Sequence, residues 1–534
     1  MEEEEFTKME KAFTRGAKTS FQTTASLRSK TSDLGDISIS DPITGNGNLG
    51  YAQELHRGFD GLMAFSFCFT SVAVVSSIAG LYVQGLSQGG PAMLIWSWII
   101  GAALTVCACM SLAEICSSYP SSGSVYHWAG LLASPTYGPF AAFVTGWFNW
   151  LGNTAGDAFF AWAFAQAVDA TLRAQGFDPL ETWVLVVIAS GALVAWALTN
   201  MMRIDHQGHV NNFASIFQIF TMVTVVGILL YGDFSSTEAA NRATVDQVFF
   251  TYYNGTGFES VLYVCCIGTV FSAYCFTGYE ASSHMAEETV DAETSVPKGI
   301  VYTGLATAGT GLVLLLGLLF VTASRVDQIV SEEWTITDIF MQVAGTKCGI
   351  FLSYVLTINM YFSGMSSLTT TARLTYAMAR DGAFPGSLYF RSVTKENKIP
   401  LAAVYLTVII DFFLIALNLL SFTAFEAIVS VATIGFQISY AIPIYLRITG
   451  YGKKHFIPSE YSLGRWGLLI GWISFIWLAF TSCLFLLPTK YPVTIDNISY
   501  APMIVGGICI LGGLYWFFNA RYWFKGPLRL DDTL

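Results

Sequence analysis

Charge is scarce in this sequence. Asp, Glu, Lys and Arg make up only 12% of the 534 residues, while 54% are hydrophobic. A soluble chain of this length exposes far more charge. The six histidines (His56, His127, His206, His209, His284, His455) are scattered and build no catalytic constellation, so a membrane enzyme is a poor reading. The ten cysteines lie in or beside apolar runs, as Cys107, Cys109, Cys265 and Cys266 do. They lack metal-ligand spacing, read as small buried hydrophobes, and give no reason to expect a metal or a cofactor. No Walker loop is present, so ATP is not expected to drive the protein directly. No ring of charge or filter-like repeat points to an ion channel. The N-terminus is polar and acidic, so no cleavable signal peptide is expected. Nor is a nucleic-acid partner.

What the sequence has is apolar length. Several runs exceed the roughly 18 residues that cross a bilayer. An all-α integral membrane protein with twelve transmembrane helices is therefore expected. The segments run over 58–86, 91–116, 139–172, 183–200, 210–231 and 261–290, then 299–323, 348–380, 401–419, 422–446, 467–487 and 501–524. Several are long enough to need tilting or breaking. Residues 1–51 are rich in Ser, Thr, Gly and charge and are read as a disordered cytoplasmic tail. Residues 52–447 form a core of ten helices, 465–524 carry two more, and 525–534 are a short second tail. With the N-terminus inside, 21 of the 26 Lys and Arg fall on the cytoplasmic side. Only Arg173, Arg242, Arg325, Lys347 and Lys490 fall outside. Both termini are then cytoplasmic. The two Asn-x-Ser/Thr acceptors, Asn254 and Asn497, land in outside loops as candidate glycosylation sites.

The stretch from Phe271 to Lys298 organises the chain. Thr277, Gly278, Tyr279 and Glu280 sit within the sixth segment. A carboxylate is costly in hydrocarbon, and glycine is a weak helix former. Together they suggest either a broken helix lining a cavity or a kinked helix whose Glu280 pairs internally. Ser76, Ser77, Ile78, Ala79 and Gly80 form a matching small-residue cluster in segment one. Small-residue helix packing is its alternative. Matched breaks in segments one and six predict two halves of five helices with opposite topology. Asn149, Asn153 and Asp157 follow at steps of four and should point into the bundle. Asn211, Ser215 and Gln218 form a polar stripe that fits helix packing. Glu426, Ser430, Thr433 and Gln437 form another. Asp411, in segment nine, has no functional account.

Several stretches resemble one family. The run Phe276-Thr277-Gly278-Tyr279-Glu280, followed by His284-Met285-Ala286-Glu287-Glu288-Thr289 and Pro297, is similar to the sixth helix and following loop of the amino acid–polyamine–organocation (APC) superfamily. The second piece resembles its amino acid/choline branch, which includes fungal GABA and choline permeases and plant bidirectional amino acid transporters. Ala113 to Gly123 resembles the loop after that family's second helix. Gly146-Trp147-Phe148-Asn149 resembles the start of its third, and Ala372 to Pro385 the exit of its eighth. The likeness spans Tyr51 to Phe524. Segment one departs from it, with Ser76-Ser77 where relatives usually carry a glycine beside Ser or Thr.

The resemblance implies a LeuT-like five-plus-five inverted repeat. It also implies a secondary transporter (permease) of neutral amino acids, GABA, choline or a similar small amine. A non-transporting nutrient sensor on the same fold is the alternative. Unwound backbone leaves amides for a carboxylate and carbonyls for an ammonium. Ser76, Ser77, Ile78 and Gly80 would supply one share of the binding site, and Phe276, Thr277, Gly278 and Tyr279 the other. Phe276 is implied as a gate over the substrate. Glu280 is expected to hold the broken helix or the substrate ammonium, and Asp157 to tune selectivity. Glu114, Glu287 and Glu288, with Arg373 and Arg380, are candidates for an inner gate. Trp147, Trp150, Tyr274, Phe276 and Tyr279 are candidates to cage a quaternary ammonium. Besides the substrate and the lipid bilayer, a coupling ion, H+ or Na+, is expected. Segment five has no lysine between Val210 and Tyr231, which disfavours a proton route through such a residue. The plasma membrane is the expected location.

Overall fold

A helix in hydrocarbon satisfies its main-chain groups from within, and the apolar runs of this chain do so. The structure, a computed structural model, describes residues 51, 53–236, 242–494 and 498–529, without the side chains at 236, 422–424, 426, 427 and 430. The tail expected over 1–51 (apart from its last residue), the Asn497 acceptor and the Glu426 and Ser430 side chains therefore lie outside the described residues. Among the described residues no strand forms beyond isolated bridges pairing Phe59 with Thr289 and Gln88 with Asn254. Ten helical stretches are long and apolar enough to cross a membrane.

The first half comprises α1 (Gly61–Val72), α2 (Val74–Ser87), α3 (Gly90–Ser118), the short α4 (Ser124–Leu132), α5 (Gly138–Ala174), α6 (Thr182–Asn200) and α7 (Ile204–Ser236). Then come α8 (Val261–Gly268), α9 (Val270–Cys275), a 3-10 helix (Ala281–Glu288), α10 (Ala292–Thr322), α11 (Thr346–Arg380), α12 (Leu401–Ala416) and α13 (Phe422–Ile448). The last two are α14 (Gly467–Leu484) and α15 (Ala501–Tyr515). The 37-residue α5 is less apolar and is not one of the ten stretches; α8 and α9 together make a shorter apolar run.

Segment seven starts earlier than expected, at Ala292 rather than Gly299, with Pro297 inside the helix. Proline cannot donate to the carbonyl four residues back. That carbonyl, of Glu293, instead accepts the Ser117 hydroxyl at 2.7 Å. The proline is thereby tolerated where sequence alone suggests a loop.

Both expected breaks exist, and one is displaced. Segment one breaks at Ala73, with φ 54° and ψ 38°, three residues before Ser76. The turn before it is loosened by hydroxyls that bond back into the helix: Thr70 to the Ser66 carbonyl at 2.8 Å and Ser71 to the Phe67 carbonyl at 2.9 Å. Such back-bonds bend helices. The carbonyl of Phe69 is taken by the Gln218 amide of α7 at 3.2 Å. Segment six ends its helix at Cys275, turns through Phe276 to Glu280, and resumes as a 3-10 helix. Gly278 has φ 91°, a conformation that favours glycine.

The two breaks lie against each other. The Cys68 thiol donates to the Tyr279 carbonyl at 2.9 Å. A β-carbon on Gly278 would lie 3.9 Å from the Ser71 carbonyl oxygen. Behind them α3 packs on α10, where Gly311 leaves room for the Trp98 indole. That indole donates to the Ala308 carbonyl at 3.1 Å and sits 4.9 Å from the Phe276 ring. On the other side α5 packs along α11 and α13.

Candidate functional site

A small cavity opens where the breaks meet. Ser71 and Val72 at the end of α1, Ser77 of α2, and Thr277, Gly278 and Glu280 of the second break line it. α5 adds Asn153, Gly156, Phe159 and Phe160; α11 adds Ser367 and Thr370; α13 adds Ala432, Thr433 and Phe436. Tyr274 completes an aromatic wall, its ring edge-on to Phe159 at 6.0 Å.

Glu280 is the acid in that wall, and its residue is fully buried. Asn149 donates to its Oε1 at 3.3 Å, and the Tyr440 hydroxyl donates to Oε2. Tyr440 also accepts the Gly278 amide at 3.2 Å, so one phenol ties the acid to the broken backbone. On the far side His284 Nε2 lies 3.9 Å from Glu280 Oε1, and His284 Nδ1 lies 3.1 Å from the Ser122 carbonyl. The Asn149, Asn153, Asp157 face does point inward. Asn149 holds Glu280, and Asn153 lines the cavity. Asp157 sits one layer behind, receiving the hydroxyl of Ser367.

The structure separates the other expected site residues. Ser77, Thr277, Gly278 and Glu280 line the cavity. Ser76 is buried and donates to Asn359 at 2.8 Å. Ile78 is fully buried, and Gly80 is exposed with open space around it. Tyr279 is buried against Tyr440, ring centroids 4.8 Å apart. Phe276 packs on Trp98 and is not part of the wall in this conformation. The same holds for two of the supposed cage aromatics. Trp147 and Trp150 pack on Phe384 instead, at 5.0 and 5.2 Å. The α7 stripe is packing: Ser366 donates to Asn211 at 2.6 Å and Ser215 to Ser66 at 3.1 Å.

The charged residues do pair, each with its own partner. Arg380 meets Glu287 at 2.8 Å, and Glu287 also accepts the Ser122 amide at 3.1 Å. The turn after α3 is thereby docked on the end of α11. Arg373 meets Glu288 at 3.2 Å, both side chains fully buried, and also donates to Asn200 at 3.3 Å. Glu114 turns away from α11, to Arg447 at 3.4 Å and the Leu463 amide at 3.1 Å. Asn254 is exposed; its side-chain oxygen accepts the Thr256 hydroxyl at 2.7 Å.

Sequence reasoning missed Tyr440. It lies three residues beyond Gln437, so extending the Thr433, Gln437 stripe by one helical step reaches it. It also missed Asp381, just past α11, which accepts the hydroxyls of Tyr51 at 2.9 Å and Tyr126 at 3.0 Å. Burial pushes the Asp381 carboxyl up to about 6. The folded state therefore holds that proton more tightly than the unfolded chain. Its contribution is full below the ordinary value of 3.8 and is lost as pH rises through about 6. Asp381→Asn is expected to flatten the fall in melting temperature across that window. Melts of purified protein in a pH series test this, and an unchanged slope overturns it.

The fold and the site define a multi-pass helical membrane protein whose one buried wall acid sits where two broken helices meet. The chain belongs to the amino acid permease family: the family profile described as "Amino acid permease" matches residues 59–509. Three relatives align along nearly its whole length. It is 35% identical to "Amino-acid permease BAT1" of Arabidopsis thaliana, over 90% of this chain and 95% of the relative. It is 34% identical to "Amino-acid permease BAT1 homolog" of Oryza sativa subsp. japonica, over 91% and 95%. The "GABA-specific permease" of Saccharomyces cerevisiae is 25% identical over 94% and 89%. Membership of the APC superfamily, and of a transporter class rather than an enzyme class, follows.

Proposed function

We propose that this chain is a secondary transporter of a small amino acid or amine, working by alternating access. The observation that carries the reading is the buried carboxyl of Glu280 in the wall of a cavity between two broken helices. The first amides of α2 have no acceptor within that helix and carry its positive end, which suits a substrate carboxylate. The carbonyls ending α1, with Glu280, suit an ammonium. Ser77 and Thr277 add hydroxyls, and the aromatic wall of Phe159, Phe160, Tyr274 and Phe436 covers a short carbon chain. That wall also suits a quaternary ammonium such as choline. The plant relatives' names favour amino acids, and the yeast relative's name favours GABA.

Counting α5 and the broken α8–α9 segment with the ten apolar stretches makes twelve crossings. We read segments one to ten as two inverted sets of five, followed by two peripheral helices. The distribution of Lys and Arg supports cytoplasmic termini and an outside Asn254; the plasma membrane is the setting we propose. The pairs Glu287–Arg380, Glu288–Arg373 and Glu114–Arg447 then close the cytoplasmic side. Phe276 would reach the substrate only by leaving Trp98 in another state of the cycle.

Uptake and counterflow in proteoliposomes test the function, using labelled GABA, neutral amino acids, ethanolamine and choline. At least one is expected to accumulate. Failure of all to move overturns the transport reading in favour of a sensor. A glycosylation reporter in the loop at Lys395 is expected to stay unmodified; modification there inverts the topology.

A further inference from the structure

Asp411 is a fully buried acid that the transport reading leaves unused. It lies on α12, which packs on α5, α6 and α11. Its residue is fully buried, and neither carboxyl oxygen has a hydrogen-bond partner among the described residues. α5, against which α12 packs, carries a second carboxyl that bears on it electrostatically, that of Asp157. Asp157 is also fully buried. Its Oδ1 accepts the Ser367 hydroxyl, and its Oδ2 is unpartnered. No cation reaches the pair among the described residues. Arg373 of α11 is committed to Glu288, Asp169 of α5 pairs with Arg173, and α6 carries no titratable side chain between Thr182 and Asn200. The Thr371 hydroxyl is also near Asp157 and donates to the Ser367 carbonyl at 3.2 Å.

Two adjacent ionised carboxylates, desolvated and without a cation, are too costly to persist. The pair must hold at least one proton, and the hydrogen bonds say where. Asp411 has no donor to steady a negative charge, whereas Asp157 has the Ser367 hydroxyl. Asp411 is therefore the acid that keeps its proton. Asp157 is the site that titrates. Ser367 is also part of the cavity wall, so it stands between the pair and the substrate space.

We infer that Asp157 and Asp411 form the coupling-proton site of this transporter, loaded from the cavity through Ser367. This rests on the transport reading above. The step balances. Asp157 takes the Ser367 hydroxyl proton while Ser367 takes one from a hydronium in the cavity, leaving water. The pair passes from one proton to two, and from a charge of minus one to neutral. Unloading is the reverse. The proton is held on α5, away from Glu280, so substrate ammonium and proton need not compete for one carboxyl.

The test begins without transport. Infrared difference spectra of the purified full-length protein, stepped through pH, read the carbonyl stretch of protonated carboxylic acids. Asp157→Asn is expected to remove a pH-titrating band. Asp411→Asn, which mimics a neutral acid, is expected to keep that titrating band. A titrating band retained in Asp157→Asn overturns the assignment, as does its loss in Asp411→Asn. In proteoliposomes with an internal pH dye, GABA is the probe. The protons moved per GABA are expected to fall about tenfold or more in Asp157→Asn, and to persist in Asp411→Asn. A wild-type ratio in Asp157→Asn overturns the proposal. Counterflow of GABA by the wild type reports on the transport reading by itself.

Discussion

Glu280→Gln is expected to cut uptake by roughly two orders of magnitude or more, while the protein still folds and reaches the membrane. The reason lies in what the acid accepts. Asn149 donates to one oxygen and Tyr440 to the other. Glutamine offers one acceptor and one amide, so one of those donors meets another donor. If the amide faces Tyr440, the phenol must accept from it as well as from Gly278 and leave its own proton unplaced. The substitution thus removes the charge offered to an ammonium and disturbs the backbone at the break. Losing one partner of a buried, hydrogen-bonded charge pair costs about 2–5 kcal/mol, which spans that range of rate or affinity. Tyr440→Phe removes one donor and leaves the charge, so a smaller loss, about tenfold, is expected. Initial rates across a pH series, normalised to surface protein, decide the matter. Wild-type uptake by folded Glu280→Gln at every pH rules out an essential charge.

The second large effect is on stability. Glu288→Ala is expected to destabilise the fold by about 3–5 kcal/mol, because it leaves the Arg373 guanidinium buried and half-paired. Among the described residues Arg373 then keeps Asn200 alone, at 3.3 Å. The double variant Glu288→Leu with Arg373→Met removes both charges at similar volume and is expected to recover most of the loss. Glu287→Ala is the control. The Glu287 and Arg380 side chains are 15% and 13% exposed, so water softens that break. Melting curves from size-exclusion traces of a fluorescent fusion report all three. A double variant as unstable as Glu288→Ala overturns the account.

The class of the protein and the break in segment six were legible in the sequence, because both rest on local chemistry. A run of apolar residues must leave water whatever its neighbours are. A glycine beside a carboxylate in such a run is a poor helix in any context, and Gly278 indeed takes a φ of 91°. The inward face of Asn149, Asn153 and Asp157 follows from helical spacing alone. The break in segment one was legible only approximately. It falls at Ala73, and alanine carries no signal for a left-handed conformation. Neighbouring packing imposes it, with Gln218 holding the Phe69 carbonyl from α7.

Partnerships were decided by tertiary structure alone. Glu280 meets Tyr440 across 160 residues, Ser76 meets Asn359 across 283, and Glu114 meets Leu463 across 349. Each pair depends on which helices become neighbours, and spacing along the chain does not determine that. The same holds for Phe276, which sequence resemblance places over the substrate and Trp98 holds in the core. Asp411 shows the limit most plainly. As a lone acid in an apolar run it has no interpretation. The α5–α12 contact gives it one, by bringing a second buried acid, Asp157, to bear on it.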